Sequence, residues 1–214
     1  MASRPVFVPQ YCGTQLVEER IFEIDWSPGF SPTQKKKNIV ALHQEAKRHG
    51  IERILEISTK SNSKIGQRLS AFSLKLEIKS MQYSLESVYQ GCKVFDHSGP
   101  FTHLFELTPR DVRRYIHSTD RGKLTGYKFL GKDYPLSPKN AFYDWLYIWS
   151  LMQHTDWIRQ KVLYDAFTDI EFNSKKQINC QARAFAEYLS LLKRKTLTDA
   201  VDDFDCFSQM LNPF

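Results

Sequence analysis

Glu86, Gln90 and Lys93 stand at i, i+4 and i+7 in the stretch Leu85-Glu86-Ser87-Val88-Tyr89-Gln90-Gly91-Cys92-Lys93. On a helix that spacing puts a carboxylate, an amide and an amine on one face. Leu85, Val88, Tyr89 and Cys92 form an apolar arc beside them. Polar groups held on a rigid element at the edge of a core are what a pocket floor requires, although a half-buried helix with a solvated stripe has the same pattern. A second set of acids, Asp165, Asp169 and Glu171, lies in Tyr164-Asp165-Ala166-Phe167-Thr168-Asp169-Ile170-Glu171-Phe172-Asn173. The segment from Asp156 to Thr168 reads as a helix. These acids would then face the negative end of its macrodipole, which weakens a purely structural reason for them. A solvated loop with an Asx turn at Asp169 is the alternative. The polar run from Ser174 to Gln181 reads as an exposed loop entering a helix whose N-terminus can hold an anion.

Other routes to chemistry are sparse. His43, His49, His97, His103, His117 and His154 show no HxH or HExxH spacing, so no metal is expected. There is no GxGxxG, P-loop or G-x-S-x-G. Lys35-Lys36-Lys37 reads either as a solvated helix face or as a phosphate contact.

The elements that position these residues follow from pattern. Arg4 to Pro9 and Leu16 to Trp26 read as strands. Ser31-Pro32-Thr33-Gln34 predicts a capped helix start, with the helix running to about His49 and stopping at Gly50. Arg53–Thr59 and the alternating Phe72–Ile78 read as short strands. The Glu86 helix is expected to end near Phe95, and a further helix to run from Pro109 to about His117. Tyr127–Tyr134 suggests a hairpin or an extended connection. Pro138–Gln153 is an aromatic helix, apolar nearly all round and so central. Ala182–Lys195 and a weaker Thr198–Leu211 complete the helices. Short strands early and helices later predict a helix-dominated α+β fold.

The 214 residues, 42% hydrophobic and 14% aromatic, can bury a sizeable core. A net charge of +6 suits phosphate-rich partners only weakly. Cys12, Cys92, Cys180 and Cys206 are widely spaced, which fits a reducing cytoplasm better than a disulfide framework or zinc site. The first residues lack a signal-peptide h-region, and the most apolar run, Ala141 to Met152, is too short to span a bilayer. No membrane association is expected.

Taken in order, several motifs resemble the NADAR family, whose name refers to NAD and ADP-ribose. Leu69-Ser70-Ala71-Phe72 resembles its L-S-N-F element, with Ala71 departing. Glu86, Gln90 and Lys93 match its E-x-x-x-Q-x-x-K helix, and Trp145 resembles the Trp of its aromatic helix. Asp169-Ile170-Glu171-Phe172-Asn173 is similar to its D-x-x-W-G element, with Phe for Trp and Asn for Gly. Arg4-Pro5-Val6-Phe7-Val8-Pro9, Gln34-Lys35-Lys36-Lys37-Asn38-Ile39, Leu55-Glu56-Ile57-Ser58-Thr59-Lys60-Ser61 and Phe142-Tyr143-Asp144-Trp145-Leu146-Tyr147 extend the likeness to one branch, the antitoxins paired with the DNA ADP-ribosyltransferase toxin DarT1.

The resemblance implies a single domain over 1–214, with a family core at about 60–190 and the segment 1–59 packed on it. It implies an N-glycosidic hydrolase that removes ADP-ribose from guanine in DNA, single-stranded or flipped out, with ADP-ribose as product, no cofactor, and a DarT1-type toxin as possible partner. An N-glycosidase on small ribosylated metabolites and a non-catalytic ADP-ribose-binding module are the alternatives. Cleaving a C1–N bond needs stabilisation of oxocarbenium-like charge and protonation of a nitrogen leaving group. Glu86 and Asp169 form the carboxylate pair for that work. Lys93 either forms a Schiff base with ring-opened ribose or stays charged and contacts diphosphate or Glu86. Tyr89 and Trp145 are candidates to stack on a base, Trp145 equally a core residue. Ser70, Phe72, Gln90, Glu171 and Asn173 are expected on the substrate side by family position, and Arg4 and Lys35 as phosphate contacts.

Overall fold

The computed structural model describes residues 1–118 and 121–211. In chain order the elements are β1 (Ala2–Pro9), β2 (Val17–Ile24), α1 (Pro32–Arg48), β3 (Ile54–Glu56), α2 (Lys64–Arg68), β4 (Lys75–Ile78), β5 (Met81–Ser84), α3 (Leu85–Gly91), β6 (Lys93–Phe95), α4 (Pro109–Ser118), β7 (Leu124–Phe129), β8 (Lys132–Tyr134), α5 (Ala141–Leu151), α6 (Thr155–Lys161), β9 (Ala166–Thr168), α7 (Gln181–Arg194), α8 (Leu197–Asp202) and α9 (Phe204–Leu211). The fold is α+β, as the sequence predicts.

The principal sheet has the order β2-β1-β9-β3. β1 is antiparallel to β2 and β9, and β9 runs parallel to β3. Each inner strand sends alternate residues to opposite faces. Val6, Ile54 and Ala166 join Ile39, Leu42 and Ala46 of α1 on one side. Phe7, Leu55 and Phe167 face α5 and α7 on the other, where the Phe167 and Phe185 rings meet edge to face with centroids 4.8 Å apart. Each such buried ring is worth about 2–3 kcal/mol in transfer free energy. Two small antiparallel sheets, β4-β5 and β6-β7-β8, flank this layered core.

Local chemistry explains the boundaries. Ser31 and Gln34 form the expected capping box with Pro32 in the first turn of α1, and Gly50, at φ +83°, turns the chain away from the helix end. α5 is central: every residue except Trp149 is buried.

Three readings are corrected. The Glu86 helix stops at Gly91, and Lys93 opens strand β6 paired with Tyr127. The helix expected through Thr168 ends at Lys161; Ala166-Phe167-Thr168 is a fully buried strand in the middle of the sheet. A short run of apolar residues fits either element, and tertiary pairing decides. The last helical segment is broken at Asp203 into α8 and α9.

α2 and β5 were not read from the sequence. α2 matters because Gly66 lies against β3: a Cβ there would collide with the carbonyl oxygen of Glu56 and the hydroxyl of Ser61. Backbone cannot yield cheaply in a packed interior. Gly66→Ala is therefore expected to lower unfolding free energy by about 3 kcal/mol in urea titration, whereas Gly131→Ala, where nothing lies within 4 Å of the added carbon, meets only φ strain.

Candidate active site

A cavity of about 490 Å³ opens where α3, α4, α5, the segment after β9 and the start of α7 converge. Glu86, Tyr89 and Gln90 reach it from α3, Arg113 from α4 and Tyr143 from α5. Asp169, Glu171 and Phe172 come from the segment after β9, with Gln177, Ile178, Asn179 and Gln181 beyond. Ala71 and Phe72 close one edge.

Glu86 sits in the first turn of α3, where a carboxylate favours the helix N-terminus. Its Oε1 accepts from Gln90 Nε2 at 3.0 Å and Arg113 Nε at 3.1 Å, and Arg113 Nη2 adds a short second contact. Gln90 Oε1 in turn accepts from Lys93 Nζ at 2.8 Å. The Glu–Gln–Lys spacing thus forms a connected chain although Lys93 lies on a strand. Lys93 is not on the cavity wall; its amine sits one side chain behind it, 5.1 Å from the Tyr89 ring centroid. Burial pushes the Lys93 pKa down; Glu86 opposes that, while Arg113 and Arg121 reinforce it.

Asp169 follows β9 directly and is 8% exposed. Its Oδ1 accepts from Glu171 N at 3.1 Å, the Asx turn, and its Oδ2 from Gln181 Nε2 at 3.0 Å. Gln181 Oε1 accepts Ala71 N at 2.8 Å, tying the 70–72 turn to α7. Burial raises the Asp169 pKa to about 7, with the Gln181 hydrogen bond only partly offsetting it. Behind it, fully buried Glu56 on β3 accepts from Ser58 Oγ (2.7 Å) and Ile170 N (2.9 Å) at Oε1, and from Thr168 Oγ1 (2.6 Å) at Oε2. Burial, then the neighbouring Asp169, pushes Glu56 up to about 8.

The other expected residues divide. Tyr89 lies on the wall, its hydroxyl accepting from Asn179 Nδ2 at 2.6 Å and its ring 5.1 Å from that of Tyr143, edge to face. Phe72 is at the rim under the Arg113 guanidinium, 5.4 Å away. Ser70 is fully buried and shapes the turn rather than lining the cavity. Asn173 also lies off the wall; it organises the loop by donating its N–H to Gln177 Oε1 at 2.8 Å. Arg4 stacks over Trp26 at 4.3 Å, and Lys35 lies 6.0 Å from the same ring and 3.8 Å from Glu171 Oε1. Lys35 reaches the site only through Glu171, and Arg4 is linked to it only by the Trp26 ring that it shares with Lys35.

Trp145 takes the core alternative. Two residues past Tyr143 on α5, it turns about 200° to the opposite face. There it donates Nε1–H to Val201 O at 3.1 Å and lies stacked against Trp149 at 5.8 Å, a core residue outside the cavity. Among the described residues no three His, Cys, Asp or Glu side chains converge as a metal site, and no helix is long and apolar enough to cross a membrane.

The family model described as DarT1-associated NADAR antitoxin matches residues 2–214. The chain belongs to this family. No curated protein matches it. Within this antitoxin family chain, Arg113, Tyr143, Gln177 and Asn179 were missed as site residues. Arg113 looks like any exposed helix cation until α4 folds against α3, so only the tertiary pairing with Glu86 reveals it. Glu56 lies in the Leu55–Ser61 motif and Gln181 ends the polar run from Ser174, and neither pattern assigns it a role.

Gln181 links the turn to the acid. Gln181→Ala is expected to cost about 1–3 kcal/mol by leaving Ala71 N–H and Asp169 Oδ2 unpaired. Asp169 ionises near 4 in the unfolded chain and near 7 here, so its contribution to stability falls as pH rises between those values. Losing a donor to the charged form raises the folded pKa further. The penalty in chemical denaturation should therefore grow from pH 6 to pH 8; a pH-independent penalty would contradict the assigned hydrogen bond.

Proposed function

We propose that this protein is an N-glycosidic hydrolase that removes ADP-ribose from the exocyclic amine of guanine in DNA, and that it neutralises a DNA ADP-ribosyltransferase in this way. The observation that carries the reading is the meeting of Glu86 and Asp169 on one cavity wall, in a chain matched from end to end by an antitoxin family.

The two acids take different roles because their surroundings differ. Asp169, raised to about 7, keeps a proton near neutrality and serves as general acid toward the ribose ring oxygen and the departing nitrogen. Glu86, oriented by Arg113 and Gln90, stabilises positive charge developing at the anomeric carbon. Lys93, whose pKa burial pushes down in favour of the neutral amine, reaches the sugar as Gln90 swings aside. Ring opening leaves an imine between the anomeric carbon and guanine. The Lys93 amine adds to that carbon and the guanine amine departs, taking a proton. Water then hydrolyses the lysine imine, releasing ADP-ribose and restoring the amine. Tyr89 and Phe72 offer ring surface to the base or adenine. Gln90 and Glu171 offer polar contacts, and Lys35 beside Glu171, with Arg4 beyond it at Trp26, offers positive charge to phosphate. Ser70 and Asn173 hold the loops that shape it.

Incubation with single-stranded DNA carrying ADP-ribosylated guanine should release free ADP-ribose. Glu86→Ala and Asp169→Ala should each cost about 100-fold or more in kcat while remaining folded. Full activity in both variants would remove the assignment. Borohydride added during turnover should trap ADP-ribose on Lys93, and the adduct should vanish in Lys93→Ala; turnover with no adduct would leave Lys93 only an orienting role through Gln90. kcat/KM should fall on the alkaline side as Asp169 loses its proton around pH 7, and a profile flat through that range would contradict its role as the acid.

A further inference from the structure

Two polar atoms on the cavity wall have no hydrogen-bond partner among the described residues. One is Glu86 Oε2, because Gln90 and Arg113 both bind the other oxygen, Oε1. The second is the Tyr143 hydroxyl. Its ring is held edge to face against Tyr89 at 5.1 Å and stacked on Tyr147 at 6.4 Å. Tyr89 stands three residues after Glu86 on α3, so the two share a helix face and Tyr143 packs beside it. Neither atom is sealed from solvent, so both open on the cavity. Burial, then the charge of Glu86, raises the Tyr143 pKa well above the ordinary, so the phenol keeps its proton. A phenylalanine would make the same ring contacts; packing alone does not call for the hydroxyl.

We propose that Glu86 Oε2 and the Tyr143 hydroxyl together read the C2 hydroxyl of the sugar being cleaved, and so select a ribosyl bond over a 2-deoxyribosyl bond. The C2 hydroxyl donates to Glu86 and accepts from Tyr143. This deepens the hydrolase reading and rests on it for the identity of the sugar.

A carboxylate oxygen only accepts, a protonated phenol donates, and a sugar hydroxyl does both, so one hydroxyl satisfies the pair. The choice of hydroxyl follows from the reaction. C2 adjoins the anomeric carbon. A hydroxyl held there keeps that carbon beside the carboxylate that stabilises its charge, and its bond to Glu86 strengthens as the charge develops. The substrate adds a second reason. ADP-ribosylated guanine in DNA carries two glycosidic carbon–nitrogen bonds. One joins its exocyclic amine to ribose, and the other joins its ring nitrogen to the deoxyribose of the backbone. Cutting the second would leave an abasic strand. The C2 hydroxyl is the difference between those sugars that lies nearest the reacting carbon. A sugar without it leaves a buried carboxylate oxygen and a phenol unpaired, which is the costly mismatch that gives sharp discrimination. Gln90 and Arg113 do not fill the gap, since both already point at Oε1.

The test compares ADP-ribose with its analogue lacking the C2 hydroxyl on the terminal ribose. The free ligands are titrated calorimetrically, and both are presented on guanine in single-stranded DNA for turnover. Wild-type protein should bind ADP-ribose about 10-fold more tightly than the deoxy analogue, and kcat/KM should favour the ribosyl substrate by about 100-fold. Tyr143→Phe keeps the ring contacts and should leave the thermal midpoint unchanged. It should shrink both ratios by about 5-fold, weakening ADP-ribose while leaving the deoxy analogue as it is. The wild-type comparison needs no variant and decides the matter if Tyr143→Phe fails to fold. Equal binding of the two ligands by wild type, no binding of either, or ratios unaltered in folded Tyr143→Phe overturns the proposal. A binding preference that Tyr143→Phe lessens, in a protein that releases no ADP-ribose from DNA, would instead refute the hydrolase reading alone.

Discussion

The parallel pairing of β3 with β9 is the contact on which the site depends. It joins residues 112 apart in sequence, with Ile54, Leu55 and Glu56 opposite Ala166, Phe167 and Thr168. Closing so long a loop carries an entropic cost, and the contacts that offset it are buried on both faces: Ala166 toward α1, Phe167 toward α7. The loop it closes contains α3, α4 and α5, which carry Glu86, Arg113 and Tyr143. Asp169 is the first residue beyond β9. One register therefore places the second acid opposite the walls built by the connection itself. Gly66 guards that register because its missing side chain lets α2 lie on the Glu56 carbonyl.

Two acids on one wall would have equivalent chemistry unless their partners differed. Glu86 is given a guanidinium and an amide on a single oxygen. Asp169 is given one backbone N–H and one side-chain amide, with another carboxyl behind it. The first arrangement orients a charge, and the second retains a proton. The asymmetry comes from topology: α4 can lay Arg113 beside α3, whereas the sheet and α5 surround Asp169 with backbone, aromatic rings and Glu56.

Much of this was legible locally. The capping box at Ser31 and Gln34, the stop at Gly50 and the all-round apolar α5 are each specified within a few residues. The Glu86, Gln90, Lys93 spacing correctly linked three side chains but for an incomplete reason, since the helix ends at Gly91 and Lys93 reaches Gln90 from a strand. Ala166-Phe167-Thr168 was misread because three buried residues carry no period, and the acids after it were judged against a helix dipole that is not there. Arg113 and Glu56 were invisible as site residues for opposite reasons. One looks like a solvated cation and the other like a strand residue, and only contacts across 27 and 112 residues give them partners.

The chain is basic overall, at +6, yet its cavity wall presents Glu86, Asp169 and Glu171 against one arginine, Arg113. An anionic ligand entering it should be repelled, and each acid is quieted by a different means. Glu86 is matched by Arg113, Glu171 by Lys35, and Asp169 by retaining its proton. Of the three, only the last fails as pH rises. The wall then gains a full negative charge in a desolvated place, where it is screened least. Affinity for an anionic ligand should thus weaken above neutrality as Asp169 loses its proton. Salt, in contrast, should act chiefly through the exposed lysines of α1.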